Sequence, residues 1–159
     1  MNYFSDVLLW LFVINLGISL GAGLYEKQMI LPKWFHKSPE IGYRVNISAM
    51  KELDAGRKFW VGVTTVPLTL LTIANLIMSL QISGAKYHWW LAASLVIVVE
   101  RIGTFSYFIP TAIKLMNSEN LPQKRTSNLI SSWLLLNYFR NTLTLIGWIM
   151  AMRAISLPQ

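Results

Sequence analysis

Two charged residues stand side by side in the apolar run "LVIVVERIGTFSYFIP", Glu100 and Arg101, and a third, Arg140, lies in "WLLLNYFRNTLTLIGW". A buried carboxylate can accept a proton, and guanidinium groups can hold the oxyanion that results. Charges at that depth are costly unless paired or functional. Adjacent helical residues point about 100° apart, so Glu100 is expected to pair with Arg140 and to leave Arg101 unmatched. One negative and two positive charges then form a site for an anion, or for a molecule that becomes anionic during reaction.

Counting about 1.5 Å per residue puts Glu100 and Arg140 within roughly one turn of the same depth. The same count brings Asn15, Asn75, Asn137 and Asn141 to that level. Trp133, Asn137, Arg140, Asn141 and Thr144 share one helix face, as do Glu100, Thr104, Tyr107 and Thr111. Asn15, Ser19, Ala22 and Glu26 make a third polar stripe, and Thr65, Thr72 and Ser79 a milder fourth with Asn75 at its edge. Glu100 and Arg140 are the catalytic candidates. Arg101, Asn137, Trp133, Asn141, Tyr107, Asn15 and Asn75 are the ligand-binding ones, with Trp133, Tyr107, Phe105 and Tyr138 available as walls. Glu26, beside Lys27, is expected at the interface.

The elements that must position these residues follow from composition. Of 159 residues 54% are hydrophobic and 13% charged, with a net charge of +7. Soluble domains carry about 25% charged residues. Spans of about 20 apolar residues cross a bilayer, and four segments qualify: 5–31, 58–82, 89–116 and 125–155. The expected fold is all-α, a single transmembrane domain over 1–159 built as a four-helix up-down bundle. The first span lacks the basic start of a signal peptide and is expected to be retained.

With no cysteine, disulfides, thiolate metal sites and iron–sulfur clusters are excluded. His36 and His88 fall in loops, so neither metal nor cofactor is expected. The basic residues border apolar spans, which points to lipid headgroups and not to nucleic acid. Lys27, Lys33, Lys37, Arg44, Lys51, Arg57, Lys58, Lys114, Lys124 and Arg125 fall on one side, against Lys86 and Arg153 on the other. Such a bias places both termini on the non-cytoplasmic side of a cell or inner membrane.

Trp60, Trp89, Trp90 and Trp148 fall near span ends, where aromatic belts form, with Trp10 and Trp133 deeper. Residues 32–57 make a long connection, whose second half, from Ser48, is expected to form a short cytoplasmic-surface helix with Met50 and Leu53 against lipid or bundle. Pro67 and Pro110 should kink their helices and release carbonyls. Gly17-xxx-Gly21 and Ser19-xxx-Gly23 suit close packing, either within the bundle or in a homo-oligomer.

Three strings, "GRKFWVGVTTVPLTLLTIANL", "ERIGTFSYFIPT" and "WLLLNYFRNTLTLIGWIMAMRA", together resemble the anthrone-oxygenase-like family of small four-helix membrane proteins. The family signature, a tryptophan, an asparagine and an arginine on the last helix, matches Trp133, Asn137 and Arg140. The resemblance implies oxygenation of a phenolic polycycle without metal or flavin, with Glu100 as proton acceptor, Arg101 and Arg140 holding the phenolate and Asn137 orienting it. Three readings stay open on the residues alone. They are an enzyme, a binding or transport protein for an anionic lipid, quinol or small acid, and a structural subunit whose charges lock helix packing.

Overall fold

The computed structural model describes residues 3–40, 42–52, 60–81 and 84–157, and those residues are mostly helical. Helix α1 (Tyr3–Tyr25) continues through a wide π-helical turn, Glu26–Ile30, into α2 (Leu31–Trp34). A two-stranded antiparallel hairpin follows, β1 (Phe35–Ser38) with β2 (Gly42–Val45), and then the short helix α3 (Ile47–Glu52). A second π-turn, Trp60–Thr65, leads into α4 (Val66–Ser79). Helix α5 (Ala85–Gly103) passes through a third, Thr104–Phe108, into α6 (Ile109–Met116). Helix α7 (Gln123–Ser156) closes the chain.

The helical runs Tyr3–Trp34, Trp60–Ser79 and Ala85–Met116 are long and apolar enough to cross a membrane. Only 22–33% of each apolar window is buried inside the protein. Side chains such as Trp10, Leu70, Leu135 and Phe139 face outward. So much outward apolar surface marks a membrane protein, since water would not tolerate it. Lys58 and Ile82, the expected ends of the second span, lie outside the described residues, as do Leu53 and Arg57.

Each π-turn is followed two residues later by a proline: Pro32, Pro67 and Pro110. A proline ring clashes with the carbonyl four residues back and offers it no N–H. Widening the turn relieves the clash, and the Leu31 N–H donates to Glu26 O and the Ile109 N–H to Thr104 O, five residues back. The carbonyl that Pro67 cannot serve, that of Val63, accepts a bond from Asn15 Nδ2 at 3.0 Å. Here the expected released carbonyl is found, and it ties α1 to its neighbour.

Helix α1 packs against α4 and α7, and α5 packs against the same two. Contacts run antiparallel: Asn75 meets Leu8 while Asn15 meets Val63, and Gly17 lies against Trp148 while Gly23 lies against Asn141. One apolar core gathers Leu9, Phe12, Leu16, Leu68, Trp90 and Ile97. A second, at the hairpin end, gathers Leu31, Phe35, Met50, Phe108, Ile130 and Trp133. A Cβ on Gly147 would sit 2.5 Å from Ile97 Cδ1, so glycine sets the α5–α7 approach.

Several expectations are met and others corrected. The four polar stripes do face inward: Ser19, Glu26, Thr72, Ser79, Glu100, Thr104, Asn137 and Thr144 are all buried. The short helix appears at Ile47–Glu52 with Met50 buried. Trp90 does not join an aromatic belt; it is fully buried and donates to Asn75 Oδ1 at 2.9 Å. Of the small-residue stripe, Gly17 and Gly23 face α7, whereas Gly21 has no atom within 4 Å of where its Cβ would be.

The hairpin is the element the sequence reading missed. Gly42 makes its turn at φ +76°, a conformation that favours glycine, and a side chain there would also collide with Ser127 Oγ. The Tyr43 N–H donates to Ser127 Oγ (3.0 Å) and Gln123 Nε2 donates to Tyr43 O (2.9 Å), so β2 is fastened to the start of α7. Because the hairpin extends past Trp34 and still packs on α7, the first turns of α7 overshoot the end of α2.

Candidate functional site

Arg140 is where the three π-turns converge. Its Nη2 donates to Glu26 Oε2 at 3.2 Å. Its guanidinium carbon lies 4.7 Å from the Phe108 ring centroid and 5.9 Å from that of Trp60. Glu26, Trp60 and Phe108 each belong to a different π-turn. Extra width in each helix, required by the prolines, brings these three side chains to one arginine. A carboxylate neutralises it and two ring faces shield it from hydrocarbon.

Glu100 therefore does not pair with Arg140. It is held by its own neighbour: Arg101 donates through Nε to Oε2 and through Nη2 to Oε1 (2.7 Å), and Thr104 Oγ1 donates to Oε1 at 2.9 Å. The expectation failed because it considered only the 100° between adjacent Cα–Cβ directions. An arginine side chain is long enough to fold back across that angle and present its fork to the neighbouring carboxylate. Depth was not the obstacle, since Ile97 meets Gly147 and Glu100 thus stands about one turn from the level of Arg140. With Glu26 included, the four charges sum to zero, and the surplus positive charge is gone.

The single polar layer also resolves into separate levels. Asn75, fully buried, donates to Leu71 O (2.8 Å) and Leu8 O (3.4 Å) and accepts from Trp90, bridging α1, α4 and α5. Glu26 lies eighteen residues beyond Leu8 along the same rod, roughly 27 Å away. Asn75 and Asn15 thus join helices to one another, at positions apart from Asn137.

A cavity of about 350 Å³ opens beside Arg140, between the α1–α2 rod, β2 and α7. Its polar lining is Lys27, Tyr43, Asn137, Tyr138 and Asn141, and its apolar lining is Leu31, Pro32, Phe35 and Leu134. Asn137 is 3% exposed, and among the described residues neither its amide oxygen nor its amide nitrogen has a partner. An unsatisfied buried amide costs about 1–3 kcal/mol, so a group placed here as both donor and acceptor suits a ligand. Lys27 Nζ stands 3.9 Å from the Tyr138 ring centroid, and among the described residues no carboxylate lines the cavity. Asn141 fits because Gly23 leaves it room; a Cβ there would be 2.5 Å from Asn141 Oδ1.

The other expected residues divide. Trp133 is one ring removed from the cavity, edge-on to Phe35 at 5.7 Å and to Phe108 at 5.9 Å. Tyr107 opens onto a different groove, and Arg101 onto a third between α4 and α5. The structure therefore brings Asn137, Asn141 and Tyr138 together and leaves Glu100 and Arg101 elsewhere. Lys27, Tyr43 and Phe35 were missed as site residues. The signal for Lys27 was its place beside Glu26 on an inward stripe; the hairpin residues offered none.

Among the described residues, no group of three His, Asp or Glu side chains is placed to hold a metal ion. Fold and site together define a mostly helical membrane protein with a half-open cavity, apolar for the most part and set with a few polar side chains, at one end. Comparison with protein-family models, curated proteins and solved structures finds no match to the chain.

Proposed function

We propose that this chain is a four-helix up-down membrane bundle, with α7 as its fourth span, that binds a small amphipathic molecule through a phenolic or anionic oxygen. The cavity of Lys27, Asn137 and Asn141 receives it. The observation that carries the reading is Asn137, buried with both amide atoms unpartnered among the described residues, beside a cation that no described carboxylate in the cavity neutralises. The ligand oxygen accepts from the Asn137 amide and from Lys27, while its apolar body rests on Leu31, Phe35 and Leu134. Binding is favoured over turnover because, among the described residues, no carboxylate lines the cavity to act as base, and Glu26 is engaged by Arg140.

Calorimetric titration of the detergent-solubilised protein with 2-naphthol and 2-naphthoate tests this reading. Asn137→Leu should weaken both by at least about tenfold, the ~1.4 kcal/mol of a lost polar contact. Lys27→Gln should weaken naphthoate more than naphthol. Undiminished binding of both probes by Asn137→Leu would show that the cavity is not the site.

The charge bias supports a hairpin on the cytoplasmic side. Since the chain has no cysteine, Lys37→Cys supplies a single thiol on β1. A membrane-impermeant maleimide should label it in broken membranes and leave it unlabelled in intact cells. Labelling in intact cells would reverse the orientation.

A further inference from the structure

We infer that the groove between the third π-turn and the first four turns of α7 is a specific site for one anionic glycerophospholipid. It has a volume of about 730 Å³ and lies apart from the Asn137 cavity. Along it, Lys124 and Arg125, then Asn128, then Ser132, then Leu136 follow one another at near four-residue spacing, so they form one strip about 18 Å long. The strip passes from cation to amide to hydroxyl to hydrocarbon, the order in which a phospholipid presents phosphate, glycerol, ester and acyl chain.

Three further observations favour a lipid anion here. Neither cation has an ion-pair partner among the described residues, and the adjoining carboxylate, Glu119, is taken by Lys51 at 3.1 Å. Tyr107 lines the groove, and its hydroxyl is buried without a partner among the described residues, which leaves it a donor for an ester carbonyl. The polar start of α7, "QKRTSN", gives way to apolar sequence at Leu129, which sets the cations at headgroup level and Leu136 among the acyl chains. Arg125, Asn128, Ser132 and Leu136 are all exposed and need no rearrangement to admit the lipid.

Native mass spectrometry of the protein from micelles holding equal dioleoyl phosphatidylglycerol and dioleoyl phosphatidylcholine tests the inference. Wild type should retain one phosphatidylglycerol, preferred at least about fivefold, an advantage of ~1 kcal/mol. The double variant K124Q/R125Q should lose the preference. S132F, which fills the groove and keeps both cations, should lose the lipid itself. Inorganic phosphate at millimolar concentration should not displace it, because the acyl contacts are part of the site. Retention of the preference by K124Q/R125Q, retention of the lipid by S132F, or its displacement by phosphate would each overturn the inference.

Discussion

Arg140→Met is expected to destabilise the protein by about 3–5 kcal/mol, because it strands the Glu26 carboxylate in an apolar setting. Glu26→Gln should cost a comparable amount by stranding Arg140 between Trp60 and Phe108. The double variant should recover much of the loss, since an uncharged pair has no stranded partner. Unfolding midpoints of the four proteins, measured in detergent, give the coupling energy directly. A second cycle separates the two pairs. Glu100→Gln combined with Arg140→Met should be additive, because Glu100 belongs to Arg101. Strong coupling between Glu100 and Arg140, with none between Glu26 and Arg140, would refute the arrangement described here.

The second large effect is expected at Asn75. Its side chain is fully buried and joins three helices, through Leu8, its own Leu71 and Trp90. Asn75→Leu keeps the volume but leaves the Trp90 indole N–H without an acceptor in a dry core. Interhelical hydrogen bonds in membranes are modest, about 0.6 kcal/mol on average, and the orphaned donor adds about 1–3 kcal/mol. A loss near 2 kcal/mol follows. Replacing Trp90 by phenylalanine in the Asn75→Leu background should return part of it, as the orphan is removed. If Asn75→Leu instead abolished naphthol binding at unchanged stability, Asn75 would be a ligand contact rather than a helix joint.

How far the sequence could be read depended on the range of each physical rule. Hydropathy acts over some twenty residues and does not need a partner, so the apolar runs were plain from composition and length. Helical periodicity acts within one element, so the inward faces carrying Glu26, Glu100 and Asn137 were legible too. Proline chemistry is also local, and Pro67 announced the freed Val63 carbonyl, though not that Asn15 would take it. The hairpin was not legible. Its strands are four residues each, and the register is held by Gln123 and Ser127, some eighty residues away.

By itself, then, the sequence determined that this is a helical membrane protein with polar lines turned inward, and which residues carry charge at depth. Only the tertiary structure decided who neutralises whom. Pairing depends on side-chain reach and on the relative offset of helices, and neither quantity is encoded within a single helix. Arg101 folds back on Glu100, and three proline-adjoining π-turns bring Glu26, Trp60 and Phe108 to Arg140. Those contacts replaced a surplus positive charge with two neutral pairs. They moved the candidate site one turn aside, to Asn137 and Lys27.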